Sequence, residues 1–333
     1  MPKDHPLRPI KKLADDALKR LSRSFDGMYS RQGRPSVPPE QLLKAMVLMA
    51  LYSIKSEARL CEQLQYNILF RWFLDMDMVE EPFDHCAFSD NRERLMKHDA
   101  AGKFFHEVVE QAQEAGLMSD EHFSVDGTLI EAWASMKSFR PKDEDKGDND
   151  GNGWADFKGE KRCNQTHESR TDPEAKLYRK GKGKEAKMSF MAHALMENRN
   201  GLLADFRVSQ ATGCAERDVA LQMLKKQAHA KTVGGDAGYN TRSFVAACRG
   251  LGITPHVAGK KHSPVDGRTT RQPGYTVSQR IRKRIEQIMG WTKVDATMRK
   301  TRYRGTRRNQ LLAQVTGTAY NLLRITRLIP IPT

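Results

Sequence analysis

The spacing of apolar residues along the chain changes near residue 118. Before that point they recur every three or four positions, which predicts α-helices. One helix is predicted to begin after Pro38, because prolines and Glu40 precede an apolar run there. Residues 1–117 are therefore expected to form a helical N-terminal domain. We assign it to DNA binding, since short helices can pack as a helix-turn-helix unit, although a plain α-bundle fits the pattern equally well. Further helices are predicted at 56–64, 67–75, 89–97 and 100–115.

Strand-like alternation follows the helical region. Residues His122–Val125 alternate and lead to Asp126, which predicts a strand whose last residue projects a carboxylate. An Asp-Gly pair after a strand is also typical of a plain turn. Two longer alternating stretches, 186–196 and 202–209, flank the sequence ENRNG and predict a β-hairpin.

A second carboxylate follows a second predicted strand. Residues Thr232–Gly235 form a short apolar run that ends at Asp236, with helices predicted on both sides and another strand at 253–258. Residues 118–333 are therefore predicted to form an α/β domain with a mixed sheet. A polar insertion, about 137–185, interrupts it.

The insertion carries several groups that could be mistaken for sites. Asp148–Gly151 resembles part of a calcium loop, but the bidentate glutamate at the required spacing is missing, so a charge-rich loop is the better interpretation. Spacing assigns no role to His167, Asp172 or Glu174, which lie in the sequence THESRTDPEA.

Charge indicates the class of partner. The chain has 333 residues, a formal net charge of +15 and a pI near 9.6, so a polyanion is the expected partner, with nucleic acid favoured over a membrane surface. The longest nearly apolar run, 42–54, is too short to span a bilayer and contains Lys44. The N-terminal residues lack the apolar core of a signal peptide. Five scattered cysteines without a CxxC pair argue against disulfides and zinc knuckles, and a cytoplasmic protein is expected.

The most basic region surrounds one predicted helix, Val277–Lys293. One face would dock onto a core, and the opposite face carries Gln279, Arg282, Glu286 and Lys293. The plain interpretation is a surface pair of Arg282 and Glu286, four residues apart. However, residues 260–308 hold fifteen Lys or Arg against three acids, which favours a backbone-binding surface with one carboxylate aimed into it. The docking face is predicted to comprise Val277, Ile281, Ile285, Ile288, Met289 and Trp291.

Two strand-end aspartates and one helix glutamate suit two-metal phosphoryl transfer. Mg²⁺ prefers oxygen ligands, so Asp126, Asp236 and Glu286 are predicted to hold two Mg²⁺ ions, with Mn²⁺ as a substitute. The cations Arg282 and Lys293 would hold the DNA backbone beside them.

Several long stretches resemble the DDE transposases of bacterial insertion sequences, specifically the insertion-sequence-five group of the four/five superfamily. The resemblance covers nearly the whole chain, although relatives often carry further residues before DHPLR, so a short N-terminus is expected. It rests on GRPSVPPEQLL, LYSIKSEARLCEQLQYNILFRWF, SDEHFSVDGTLIEAWASMKSF, THESRTDPEAKLYRK, MENRNGL, AERDVAL, GDAGYNTRSFV and RKTRYRG.

The resemblance implies a ribonuclease-H-like catalytic core and a place for each acidic residue. The first Asp of the family matches Asp126 and the second Asp236. The third acid lies in a signature of Tyr, Arg, Glu and Lys, whose spacing Arg282, Glu286 and Lys293 fit, while Gln279 replaces the Tyr. Ala237 stands where many relatives carry Lys. Further DNA contacts are expected from Arg299, Lys300, Arg302 and Arg304 of the closing basic segment.

The resulting hypothesis is a transposase that cleaves double-stranded DNA at the terminal inverted repeats of its element and joins the 3′ ends to target DNA. It would act as a homo-oligomer in a synaptic complex, in the bacterial cytoplasm, nucleoid-associated when bound and without a membrane partner. Two rivals stay open. One is a catalytically decayed DNA-binding protein of the same fold, and the other is a nuclease without strand transfer.

Overall fold

The computed structural model describes residues 1–28, 36–142, 162–179, 181, 183–227 and 229–329. The discounted calcium loop, Asp148–Gly151, lies outside the described residues, as does the start of GRPSVPPEQLL. Among the described residues, no helix is both long and apolar enough to cross a bilayer.

The predicted helical region is confirmed. Within it, the buried ammonium of Lys44, the charge that interrupts the apolar run, is neutralised by Asp15 at 2.7 Å and by Asp75. Such pairing is what allows a charge inside a helical core. The helices that the structure describes before residue 118 are α1 (Leu7–Asp26), α2 (Pro39–Leu51), α3 (Glu57–Tyr66), α4 (Ile68–Phe73), α5 (Cys86–Lys97) and α6 (Ala100–Glu114).

A mixed sheet follows, with six strands among the residues that the structure describes. Its central strands run in the order β6–β5–β1–β7–β8, with β6, β5 and β1 antiparallel and β7 and β8 parallel to β1. The short strand β4 pairs with β5 as well. This order is that of a ribonuclease-H-like core and confirms the predicted fold. The strands are β1 (His122–Glu131), β2 (Phe139–Pro141), β3 (His167–Ser169), β4 (Lys176–Tyr178), β5 (Lys187–Glu197), β6 (Leu203–Gln210), β7 (Thr232–Gly235) and β8 (Thr254–Val257), with β2 and β3 in a separate pair.

The prediction that a strand ends at Asp126 is wrong, because β1 continues to Glu131. Its antiparallel partner β5 pairs with it along this whole length. Its parallel partner β7 stops at Gly235. Asp126 therefore lies where one neighbour of β1 ends, and the carboxylate stands at a gap in the sheet rather than at the end of its own strand.

The Val277–Lys293 helix is also corrected, since it forms two helices that meet at Arg282-Lys283. The interruption changes which positions face the protein, so Val277 is 50% exposed while Ile285, Ile288 and Met289 are buried. The helices of this half are α7 (Ala215–Leu224), α8 (Arg242–Gly250), α9 (Gly267–Thr270), α10 (Pro273–Ile281), α11 (Arg284–Val294) and α12 (Thr306–Leu328).

The end of the polar insertion has a structural role that spacing did not assign. Asp172, which is buried, accepts a hydrogen bond from the backbone N–H of Gly305 at 3.1 Å. Glu174 accepts one from Thr306 N–H at 3.0 Å. These carboxylates satisfy amide groups that the first turn of α12 leaves without partners inside the helix.

Helix α12 joins the two halves of the chain. It packs against α1, α2 and α6 on one side and against β6 and α11 on another. One hydrophobic core consequently runs from the N-terminal helices to α11 across the predicted boundary near residue 117. The core holds α11, and with it Glu286, against the sheet.

Candidate active site

The register of β1 and β7 brings the two aspartates together. The last ladder pair is Ser124 with Gly234, so Asp126 and Asp236 lie two residues further on the same register line. Side chains alternate along strands, so Asp236 projects to the same side as Gly234. A Cβ atom added at Gly234 would lie 3.5 Å from Cβ of Arg282. Both aspartates therefore project from the face that α10 covers.

The charges of Asp236 and Glu286 both act on the carboxyl of Asp126. The pKa of Asp126 is raised to about 6, chiefly because burial disfavours the charged form. The carboxylates of Asp236 and Glu286 raise it further, whereas the Gly127 amide and the charge of Arg282 lower it. The structure thus gathers Asp126, Asp236, Glu286 and Arg282 in one electrostatic environment, with Asp236 and Glu286 exposed.

Side-chain hydrogen bonds fasten α10 to β8. Tyr275 donates its hydroxyl to Val257 O at 3.0 Å, and Ser278 Oγ lies 2.7 Å from His256 Nδ1. Gln279 donates to His256 O and accepts from Arg282 Nε at 2.9 Å. Gln279 therefore orients the guanidinium of Arg282 beside the aspartates. Sequence reasoning missed Tyr275, Ser278 and His256, because hydroxyl and imidazole groups in a basic helix and a short strand carry no distinguishing spacing.

Lys293 lies closer to β1 than its predicted place on a solvent-exposed helix face implied. Its Nζ donates to Thr128 Oγ1 at 2.5 Å, two residues from Asp126. Its half-buried stem follows α11, whose buried Ile285 and Ile288 anchor that helix. Glu286 and Lys293 therefore approach β1 from the same helix.

The closing basic segment divides into exposed and packed side chains. Arg299, Lys300 and Arg304 are exposed, while Arg302 is partly buried and donates to Thr297 Oγ1. Burial lowers the pKa of Arg302. Backbone bonds between Glu131 and this segment, Glu131 N to Arg299 O at 3.0 Å and Thr301 N to Glu131 O at 2.7 Å, hold it along the end of β1.

The donor set fits a hard divalent cation. All three candidate ligands offer carboxylate oxygens, and their mutual repulsion at Asp126 is relieved when a cation binds. In the parts of the chain that the structure describes, no three His, Cys, Asp or Glu side chains are already gathered as a metal cluster. Instead, Asp126 accepts from Gly127 N–H at 2.8 Å and Asp236 from Gly238 N–H at 2.7 Å. Cation binding would require the carboxylates to draw together.

Comparison with known families gives the chain its class. Residues 119–322 match the family described as Transposase DDE domain, and residues 1–94 match the family described as Transposase domain (DUF772). The chain belongs to the DDE transposase family. It is therefore an enzyme of DNA transposition, of the insertion-sequence type that the resemblance implied. The insertion-sequence-five group stays a prediction.

Solved structures resemble the chain only distantly. A piggyBac transposase synaptic complex with hairpin DNA is 9% identical, with a TM-score of 0.43 over 96% of this chain and 75% of that chain. A Mos1 transposase paired-end complex with left transposon end is 11% identical, with a TM-score of 0.21 over 85% of this chain and 87% of that chain. Likeness at these scores carries no argument about the site.

Proposed function

We propose that this transposase cleaves DNA at the terminal inverted repeats of its insertion element and joins the 3′ ends to target DNA. The observation that carries the proposal is the placement of Asp126 and Asp236 on one register line, in the electrostatic field of Glu286. An arrangement of three carboxylates beside cations suits phosphoryl transfer, in which positioning and charge neutralisation do most of the catalytic work.

Asp126, Asp236 and Glu286 would hold two Mg²⁺ ions, or Mn²⁺ in their place. When bound, such ions supply an activated attacking oxygen and a stabilised leaving oxygen. Asp126 is the least exposed of the three, and Gly127 N–H, which donates to its Oδ1 at 2.8 Å, would help to orient its carboxylate. The exposed carboxylates of Asp236 and Glu286 form the side that opens to solvent and to the DNA.

The cations beside the carboxylates would hold the DNA backbone. Arg282, oriented by Gln279, lies at the aspartates, and Lys293 of α11 contacts Thr128, two residues after Asp126 on β1. Charged N–H donors of this kind bind phosphate oxygens without reading base sequence. Exposed cations of the closing segment, Arg299, Lys300 and Arg304, would extend the same contact, whereas the partly buried Arg302 supports the segment from within.

The helical N-terminal region would bind the element ends, with two or more copies of the chain pairing the ends in a synaptic complex, in the bacterial cytoplasm and on the nucleoid. The net charge of +15 supports a DNA partner. A decayed protein or a simple nuclease would share this charge and fold, so the chemistry has to be tested directly.

The test is cleavage and joining of a labelled duplex that carries the element end, in Mg²⁺ or EDTA, by wild type and by Glu286→Gln. We expect Mg²⁺-dependent nicking and joining by wild type, and end binding without nicking by the variant. Binding without nicking by both proteins would favour the decayed protein. Nicking without joining would favour the nuclease.

A further inference from the structure

The motif AERDVAL has no part in the three-carboxylate site, yet it delivers a fourth carboxylate to the same strands. Glu216 lies in the first turn of α7. It faces Gly127, whose open side is opposite to the side from which Asp126 projects, because side chains alternate along β1. A Cβ atom added at Gly127 would lie 2.7 Å from Glu216 Cγ and 3.0 Å from Glu216 Oε1. Glu216 therefore occupies the space that any other residue after Asp126 would fill.

The second strand repeats this arrangement. A Cβ atom at Gly235, directly before Asp236, would lie 3.2 Å from Tyr239 Cδ2 and 3.3 Å from Tyr239 Cγ. Each aspartate thus has a neighbouring glycine, and another side chain occupies the space where the side chain of that residue would otherwise lie. Glu216 packs against Gly127 of β1, and Tyr239 packs against Gly235 of β7.

Tyr239 connects the two positions. Its side chain is 1% exposed. Burial raises the pKa of its phenol well above the usual value, and the carboxylates of Glu216, Asp126 and Asp236 raise it further. The neutral phenol therefore lies in the field of all three carboxylates. The nearby cation Arg217 opposes them, with its guanidinium hydrogen-bonded to Gly213 O at 2.9 Å.

We infer that Glu216 is a positioning residue of the cation site, which strengthens divalent-cation binding by its charge from the reverse face of β1. The inference rests on the proposed function, because it needs the cation site of Asp126 and Asp236. The carboxylate of Glu216 would be separated from the cations only by the backbone of β1. Because the protein interior has a low dielectric constant, its negative charge would attract the cations without contributing an oxygen ligand. Gly127 is needed because only a residue without a side chain admits Glu216 at that distance.

The experiment is Mn²⁺ titration of the full-length protein by isothermal calorimetry, without DNA, for wild type, Glu216→Gln and Asp218→Asn. Asp218 is the matched control, since it lies exposed in the same first turn and loses the same charge. We expect Glu216→Gln to weaken Mn²⁺ binding about tenfold and Asp218→Asn to leave it within about twofold. Glu216→Asp, which keeps the charge, should recover most of the affinity.

Cleavage assays then distinguish a weaker cation site from a general loss of activity. With Glu216→Gln, the Mg²⁺ concentration for half-maximal cleavage should rise about tenfold, while the rate at saturating Mg²⁺ and the affinity for end DNA stay near wild type. If circular dichroism shows that Glu216→Gln is misfolded, Glu216→Asp and Gly127→Ala are titrated instead. A wild-type Mn²⁺ affinity in Gly127→Ala would then contradict the inference.

The outcomes distinguish the two proposals. Superimposable Mn²⁺ titrations of wild type and Glu216→Gln, with cleavage intact, would overturn the role of Glu216 and leave the proposed function standing. Absence of Mn²⁺ binding and of cleavage in wild type would overturn both. An equal loss of Mn²⁺ affinity in Asp218→Asn would mean that the total charge of α7, and not the position of Glu216, causes the effect. That result would also overturn the inference.

Discussion

Asp126 and Asp236 occupy matched positions on neighbouring parallel strands, two residues beyond the last ladder pair of Ser124 with Gly234. Their separation is therefore set by backbone pairing, which is rigid, while Glu286 lies on α11, a helix held against the sheet by side-chain packing. Two candidate ligands are fixed by the sheet, and the third depends on how α11 is seated.

The metal-free protein should gain stability when Asp126 becomes Asn. An aspartate ionises near pH 4 when unfolded, and in the folded protein the pKa of Asp126 is about 6. The folded state therefore binds the proton more tightly, and wild type loses stability as the pH rises from about 4 to about 6. At pH 7.5 in EDTA, Asp126→Asn should be more stable to urea by about 1–3 kcal/mol. The difference should shrink below pH 4, and the exposed Asp120→Asn should show none. Equal urea midpoints for wild type and Asp126→Asn at both pH values would contradict this account.

Divalent cations should stabilise wild type but not the ligand variants. A ligand that binds only the folded state raises stability by mass action, so saturating Mg²⁺ or Mn²⁺ should raise the melting temperature by about 2–4 °C. Asp126→Asn, Asp236→Asn and Glu286→Gln should each lose most of this rise, as differential scanning fluorimetry can measure. A variant that keeps the full rise would not have altered a cation ligand.

Arg282 should contribute more to DNA binding than its neighbour Arg280. Arg282, directly after α10, is held at the aspartates by Gln279, whereas Arg280 is exposed in the last turn of α10. Arg282→Ala should weaken end-DNA binding about tenfold at low salt and reduce the salt slope by about one. Gln279→Ala should have a smaller effect in the same direction, because the guanidinium stays but loses its orientation. Fluorescence anisotropy across a salt series measures both quantities, and equal effects of Arg280→Ala and Arg282→Ala would assign the loss to net charge alone.

Tyr303 should be a structural link between the closing basic segment and the N-terminal helices. Its hydroxyl donates to Glu57 Oε1 at 2.5 Å. The guanidinium carbon of Arg92 lies 4.4 Å from the centre of the Tyr303 ring, and Arg92 also forms an ion pair with Glu57. Tyr303→Phe should cost about 1–2 kcal/mol in urea unfolding, because Glu57 loses one of its buried donors. Tyr66→Phe, at a 66% exposed position, is the control and should cost almost nothing.

Most helices and strands were predictable from the regular spacing of their apolar residues. The hairpin of β5 and β6 and the short strand β7 were confirmed, and the helical region before residue 118 was confirmed as a whole. Periodicity alone could not find the continuation of β1 past Asp126, because that depends on pairing with the distant strand β5. The break at Arg282-Lys283 was equally hidden, since α10 is fastened to β8 by side chains far away in sequence.

The candidate site divides in the same way. Spacing and resemblance pointed to Asp126, Asp236 and Glu286 as its acids, and their catalytic roles stay predictions. The amide of Gln279 as a support for Arg282, the contact of Lys293 with Thr128 and the partial burial of Arg302 follow from packing in three dimensions. A basic residue in a sequence gives its charge but not whether its side chain faces DNA or protein.

Helix α12 gives the order of synthesis an unusual importance. These 23 residues are synthesised after α1, α2, α6 and β6, yet all four of those elements pack against them. Nascent chains must therefore keep apolar surfaces of both halves uncovered until α12 has been synthesised. A stop codon directly before this helix should consequently be as damaging as an early one, and we expect such a truncated product to aggregate or be degraded rather than to persist as a partial inhibitor.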